Sequence, residues 1–305
     1  MSPFISVIVP ASRTDTLKQT IEGLSNQSIP KDCYEIIVII PSKLNFEKLQ
    51  LSRVQVVKTK KLYPPGKMRN LGAQRATGDI LCFIDDDCIP SQEWIEIITE
   101  KFHKNKDVGA VGCRVIGIEN TFWYRCADYA LFSRYQYNTP FFGHLGSAAI
   151  AIRKKAFLSV IGFQETLLAS EDWDLSLKLT KKGWLCLFNP NAEVKHNHQR
   201  DGLVSIIVMG FKSGFRSGLV VQAKHESQMS LPAKMLLRLK NPFIYPLAII
   251  PYAATLTLFL IWELRQTEPR LFLFSPFILL SRISYQVGVW VNLLYGNRII
   301  DYEIS

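Results

Sequence analysis

Ile80-Leu81-Cys82-Phe83-Ile84-Asp85-Asp86-Asp87 is a run of five apolar residues that ends in three acids. An apolar run of this length, without alternation, suits a strand buried on both faces of a sheet. Residues 5–9, which end at Pro10, read the same way, as do 34–40 and 54–57. Between the first two runs, Leu17, Ile21 and Leu24 recur at helical spacing. Strands alternating with helices predict an α/β fold with a mostly parallel sheet flanked by helices. Such sheets collect ligands at the carboxyl ends of their strands, and the three acids fall at one.

Further along, the pattern predicts a helix over 92–103 with Trp94, Ile95, Ile98 and Phe102 on one face, and strands over 108–116, 148–152 and 184–187. A helix over 171–182 is expected to start from Ser170, a residue type that favours the N-cap. After residue 200 the composition changes. From Asn241 to Trp262 there are 22 uncharged residues, and 271–295 carry only Arg282. Both runs are long enough to cross a bilayer core. The expectation is therefore a soluble domain over 1–200, a basic amphipathic juxtamembrane segment over 201–240, and a helical membrane hairpin over 241–305, with Pro246 and Pro251 kinking its first arm. Two buried helices of a soluble protein, or a re-entrant hairpin, are the other readings, and Arg282 is costly at mid-bilayer.

The 305 residues carry a net charge of +10, which bears on partners rather than on fold. Lys212, Arg216, Lys224, Lys234, Arg238 and Lys240 face a single acid, Glu226, before the first long apolar run. Basic flanks of this kind are expected on the cytoplasmic side, and anionic membrane lipids are their expected partner. The six cysteines show no metal-ligand spacing and read as buried thiols in a reducing compartment. Met1-Ser2-Pro3-Phe4 does not resemble a signal peptide. The soluble domain is therefore expected on the cytoplasmic face of the cell membrane.

Three adjacent carboxylates either sit solvated in a turn or are neutralised by a cation. Hard oxygen ligands suit Mg²⁺ or Mn²⁺ shared with a diphosphate. Glu171 and Asp172 open a helix, where acids complement the dipole in any protein, but a carboxylate placed there is also positioned to act as a general base. His196 and His198 flank Asn197 after a strand-like run and are available to such a metal site.

Taken in order, these segments resemble the family 2 glycosyltransferases with the GT-A fold. The matching pieces are Ser6-Val7-Ile8-Val9-Pro10; Lys67-Met68-Arg69-Asn70-Leu71-Gly72-Ala73; Ala76-Thr77-Gly78-Asp79; Phe83-Ile84-Asp85-Asp86-Asp87; Gly146-Ser147-Ala148; Ile161-Gly162-Phe163; and Ser170-Glu171-Asp172-Trp173-Asp174-Leu175. The resemblance implies a nucleotide-sugar donor, UDP-linked in many members, and a lipid-linked or glycan acceptor in cell-envelope polysaccharide synthesis. It also implies a divalent metal, Mn²⁺ or Mg²⁺, held by Asp85 and Asp87 with His196; His198 is the second choice. Asp172 is then the catalytic base of an inverting transfer, and Pro10, Arg13, Arg69, Asn70, Asp85, Asp86 and Glu171 line the donor. Asn70 has the alternative of capping a turn.

Two departures stand out. Where many members carry an acid after the second strand, this chain has Ile40-Pro41-Ser42-Lys43, so the base of the donor is not indicated. Gln199-Arg200-Asp201-Gly202 does not match the Q-x-x-R-W element of processive synthases, which implies one sugar per encounter. Ala11-Ser12-Arg13-Thr14 lacks the glycines expected of a nucleotidyltransferase or a dinucleotide-dependent oxidoreductase. A nucleic-acid partner would explain the charge but neither the acids nor the apolar runs. A non-catalytic membrane scaffold on the same fold is the rival from another class.

Overall fold

The computed structural model describes residues 4–44, 54–224, 234 and 241–295. The chain forms two units, Met1–Ile118 with Tyr135–His198, and Glu119–Arg134 with Gln199–Ser305. Residues 119–134, read from the sequence as part of the first domain, group with the second unit. Arg238, Lys240 and Glu226 of the expected basic segment lie outside the described residues.

Among the described residues the first unit is built on nine strands: β1 (Ile5–Pro10), β2 (Tyr34–Pro41), β3 (Val54–Thr59), β4 (Ile80–Ile84), β5 (Cys88–Pro90), β6 (Val108–Gly117), β7 (Phe141–Phe142), β8 (Ala149–Arg153) and β9 (Leu185–His196). Their order is β3-β2-β1-β4-β8-β6-β9-β5, with β7 also paired to β9. The half β3-β2-β1-β4 is parallel, as the apolar runs indicate. Beyond it the sheet is mixed, because β8 runs antiparallel to both β4 and β6. Alternate residues of each central strand enter different cores. Val7, Val9, Val38, Cys82 and Ile84 meet α1 (Leu17–Ser25) and α3 (Trp94–Lys104). Ile8, Ile37, Ile39, Leu81 and Phe83 meet α2 (Pro65–Arg75), α5 (Lys154–Ser159) and α6 (Glu171–Lys181). Each fully buried aliphatic or aromatic side chain is worth about 1.5–3 kcal/mol relative to exposure, so strands apolar on both faces have no stable alternative to a covered sheet.

Two elements depart from expectation. β9 continues to His196 rather than ending near Leu187. Its register against β6 shifts between Cys113, opposite Asn189, and Arg114, opposite Glu193. Pro190 lies in that gap, and a proline cannot donate to the ladder, so the sequence pattern breaks where the strand does not. Ser170 precedes α6 in a left-handed conformation (φ 61°) and makes no side-chain cap bond, so the expected N-cap is absent. All six cysteines are free and five are buried.

The second unit is helical: α4 (Phe122–Leu131), α7 (Leu203–Lys224), α8 (Tyr245–Leu264) and α9 (Leu271–Tyr295). α8 and α9 are long and apolar enough to cross a membrane, and only 28% and 33% of their most apolar stretches is buried. Pro246 sits in the first turn of α8, where its missing N–H costs nothing, and α8 continues through Pro251. α7 runs alongside α9 in the same direction: Ser284 Oγ donates to the Ile207 carbonyl at 2.8 Å and Asn292 Nδ2 to the Phe215 carbonyl at 2.9 Å. Side chains at Gly210 or Gly214 of α7 would strike the carbonyls of Ser281 and Tyr285, and one at Gly288 would strike that of Phe211. At the start of α9, Phe274 and Phe277 pack on Phe122, and Arg125 of α4 pairs with Glu268 at 2.9 Å.

Candidate active site

The three acids leave β4 at its carboxyl end, and each acquires different partners. The Asp85 N–H donates to the Ala148 carbonyl at 2.9 Å, which ties the acidic turn to the entrance of β8. Its carboxylate pairs with Arg69 at 2.6 Å. Burial pushes the Asp85 carboxyl up to about 7, with Arg69 opposing and the Asp87 charge adding to the rise. Asp86 is enclosed by the loop after β1. Its Oδ2 accepts from the backbone N–H groups of Ser12 (2.6 Å) and Arg13 (3.0 Å) and from the Ser12 hydroxyl (3.1 Å). The Thr20 hydroxyl donates to the Asp86 carbonyl. Asp86, expected at the donor, thus anchors the loop that carries Arg13.

Asp87 and His196 meet because of the short strand β5. Cys88 pairs with His196 across the β5–β9 ladder, and the Asn197 N–H donates to the Asp87 carbonyl at 2.8 Å. The Asp87 carboxylate then lies 3.3 Å from His196 Nε2 and 3.2 Å from the Arg13 guanidinium. Donor atoms of Asp87, Cys88 and His196 lie within 4.8 Å of one another. A carboxylate oxygen and an imidazole nitrogen fit a hard or borderline divalent cation. The Cys88 sulfur is a softer donor than such an ion prefers, and burial first, with the neighbouring carboxylates adding to it, pushes its thiol well above the ordinary range. Burial first, and the Asp87 charge after it, raise Asp85 and Asp86, and a bound cation would offset the repulsion among the carboxylates. The residues present therefore fit a divalent metal, with Asp87 and His196 as its nearest protein donors. His198 stacks edge-on against His196 with ring centroids 5.5 Å apart.

Arg69 joins the two acid groups. α2 buries its guanidinium (2% exposed), and the second nitrogen pairs with Glu171 at 2.6 Å. Next to it, Asp172 is oriented through both oxygens: Oδ2 accepts from the Ser147 N–H at 3.2 Å and Oδ1 from the Trp173 N–H at 2.7 Å. The Ser147 hydroxyl reaches Glu171 at 3.3 Å. Burial first, and the Glu171 charge second, push the Asp172 carboxyl up to about 6. Tyr135 completes the enclosure. Its hydroxyl accepts from the Ala148 N–H, and burial together with the Asp172 and Asp85 charges holds it well above its ordinary range, so it stays protonated. Tyr135 occupies the space a side chain at Gly146 would need, which is the physical reason for glycine there.

Asp85, Asp87, His196, Arg13, Arg69, Glu171 and Asp172 are thus brought together, and Pro10 ends β1 two residues before the Asp86-bound loop. Asn70 goes elsewhere. Its side chain donates to the Phe163 carbonyl (2.9 Å) and accepts from the Phe163 N–H (3.0 Å), clamping the turn in which Gly162 has φ +66°. Tyr135 and the Ser12 contact were missed in the sequence. Tyr135 carries no local pattern, and Ser147 was visible only as part of a matching segment.

The family described as Glycosyl transferase family 2 matches residues 6–160, half of the chain. A pre-mycofactocin glycosyltransferase of Mycobacterium tuberculosis is 30% identical over 52% of this chain, which spans 35% of that relative's length. A relative from Methanococcus voltae is 24% identical over 96% of this chain and 98% of its own length. It is described as a dolichyl N-acetyl-α-D-glucosaminyl phosphate 3-β-D-2,3-diacetamido-2,3-dideoxy-β-D-glucuronosyltransferase. Among solved structures, a mannosyltransferase of Pyrobaculum calidifontis in complex with GDP-Man and Mn²⁺ superposes with a TM-score of 0.66. It is 17% identical, covering 98% of this chain and 89% of that one, a likeness of fold.

Proposed function

The chain belongs to glycosyl transferase family 2, and from that premise we propose that it is an inverting, metal-dependent enzyme that moves one sugar from a nucleotide-diphosphate sugar to a lipid-linked or glycan acceptor at a membrane. The observation that carries this reading is the Asp172 carboxylate, oriented through both oxygens and tied through Glu171 and Arg69 to the acids after β4.

In this mechanism Asp172 accepts the proton of the acceptor hydroxyl at its carboxylate as that oxygen attacks the anomeric carbon. Attack opposite the departing diphosphate inverts the centre, as in one-step glycoside displacement. Ser147 and the Trp173 N–H hold the base in place, and Arg69 keeps the buried acids from repelling one another. Arg13, exposed beside Asp87, supplies positive charge to the diphosphate. Asp87 and His196, with Asp85 beside them, would hold the divalent metal, which when bound would supply Lewis-acid stabilisation of the leaving diphosphate.

UDP-sugars are the first donors to test, on the family resemblance, and GDP-sugars next, since the Pyrobaculum neighbour is described with GDP-Man. A lipid-linked acceptor is supported by the description of the Methanococcus relative and by α8 and α9. In this reading the catalytic unit faces the cytoplasm at the cell membrane. The test is release of nucleoside diphosphate from a panel of nucleotide-sugars by membranes containing the chain, with Mn²⁺ or Mg²⁺. Asp172→Asn should lower the rate by about 10²–10⁴-fold without lowering the thermal midpoint, because it removes a buried charge. Release that does not depend on Asp172 with any donor overturns the catalytic reading.

A further inference from the structure

A short stretch of backbone, Gly146-Ser147-Ala148, leads into β8 and links the acids after β4 to those that open α6. The Ala148 carbonyl accepts from the Asp85 N–H at 2.9 Å. One residue earlier, the Ser147 N–H donates to Asp172 Oδ2 at 3.2 Å, and the Ser147 hydroxyl reaches Glu171 at 3.3 Å. The Ala148 N–H in turn donates to the Tyr135 hydroxyl. A small shift of this stretch therefore moves the proposed base relative to the acidic turn.

A tyrosine that only fills a core needs some partner for its hydroxyl. Tyr135 is held more narrowly than that. It sits on a 3₁₀ turn over Ser133–Gln136, and the next side chain pins the turn to β6, since Gln136 Nε2 donates to the Val115 carbonyl at 2.7 Å. Its ring packs against the clusters on both faces of the sheet. Its hydroxyl rests on Gly146, in the space any larger residue there would need. The ring is thus fixed from behind, and the backbone that carries Ser147 is seated on its tip. Resting on the reading of Asp172 as the base, we infer that Tyr135 is a positioning residue for the transfer: its hydroxyl sets the Ala148 peptide, and through it the Ser147 N–H that aims Asp172 at the acceptor hydroxyl. Tyr135 need not touch either substrate for this. A misplacement of about 1 Å at a reacting group can cost on the order of 10²-fold in rate.

The test compares the full-length parent with Tyr135→Phe, using the nucleotide-sugar panel above and release of nucleoside diphosphate as the readout. This variant keeps the ring on Gly146 and removes only the hydroxyl. Its kcat should fall at least about tenfold while the donor KM stays within about twofold, the split expected when a transition-state contact is loosened and donor binding is not. The acid limb of the rate should move to higher pH, because the Ser147 bond favours the ionised carboxylate and is weakened. Glu171 and Arg69, the charged groups that act on Asp172, are the same in both proteins. In hydrogen exchange the Ala148 amide should open at least about tenfold faster, with those of Ala151 and Ile152 unchanged. If Tyr135→Phe does not fold, Gly146→Ala, whose methyl takes the place of the hydroxyl, should give the same split. A variant with a lower thermal midpoint but the parent's kcat and pH profile overturns the inference and leaves Tyr135 a core residue. A parent with no Asp172-dependent release overturns the proposed function and this inference together, whereas an active parent matched by Tyr135→Phe overturns the inference alone.

Discussion

In the sheet unit, ionisable side chains are buried at one edge: Arg69, Glu171, Asp87 and His196 are all under a tenth exposed. In the helical unit, backbone is buried against backbone at Gly210, Gly214 and Gly288, while large apolar side chains such as Leu247 and Leu258 face outward. The first arrangement makes sense when water is the solvent, because a covered sheet excludes it from the strand ends and strengthens every charge interaction there. The second makes sense when the solvent is itself apolar. Association then depends on close packing of small residues and on interhelical hydrogen bonds rather than on hiding hydrocarbon.

The largest break in this contrast is expected at Arg69. Arg69→Met leaves Glu171 and Asp85 without their shared counter-ion, and removing one partner of a buried pair costs about 3–5 kcal/mol. Chemical denaturation of the variant should show a loss of that order, and Arg69→Lys should restore little of it, since a point charge cannot bridge two carboxylates as a planar fork does. A variant as stable as the parent would show that the acids are neutralised some other way.

Gly214→Leu probes the other side of the comparison. The new side chain has no room against the Tyr285 carbonyl, and overpacking of this kind costs about 1–3 kcal/mol. Thermal unfolding in detergent should begin earlier, with the loss confined to the helical unit in hydrogen exchange. If α7 exchanges no faster than in the parent, the glycine seam is not what holds it.

The smallest expected effect is on pH dependence. Burial and the Glu171 charge raise the Asp172 carboxyl to about 6, and a general base works only when ionised. Turnover at saturating donor should therefore be level above this pH and fall about tenfold per unit below it. Glu171→Gln removes the like charge, so the acid limb should move to lower pH. A limb that stays in place would mean that burial alone sets it.

How much of this was legible beforehand depends on the range of the signal. The runs at 34–40 and 80–84 are strands because each residue's own hydrophobicity demands burial, and the acids following β4 fall at a strand end by simple adjacency. Asp172 was visible as an acid at a helix start. The meeting of Asp87 with His196 was implied by the family resemblance and by no local pattern, because it depends on three residues, Cys88 to Pro90, too short to carry periodicity, pairing with a strand that Pro190 had disguised. Of the two roles open to Asn70 the structure shows the turn clamp, whereas Ser170 does not make the cap expected of it. A polar residue near a ligand-binding segment proved to be a turn clamp, and a residue type suited to capping adopted a backbone conformation that made no cap.

The amino-acid sequence by itself determined that the chain buries a sheet, that carboxylates end one of its strands, and that two long apolar helices follow. Local composition suffices for these, since burial and helix length are properties of contiguous residues. Only the tertiary structure decided which partners each acid meets. Asp86 faces the β1 loop, Asp87 faces His196, and Asp85 shares Arg69 with Glu171. Three identical neighbours in the chain are separated by partners 73 to 109 positions away or brought round by a helix, and strand register, which no local pattern encodes, selects among them.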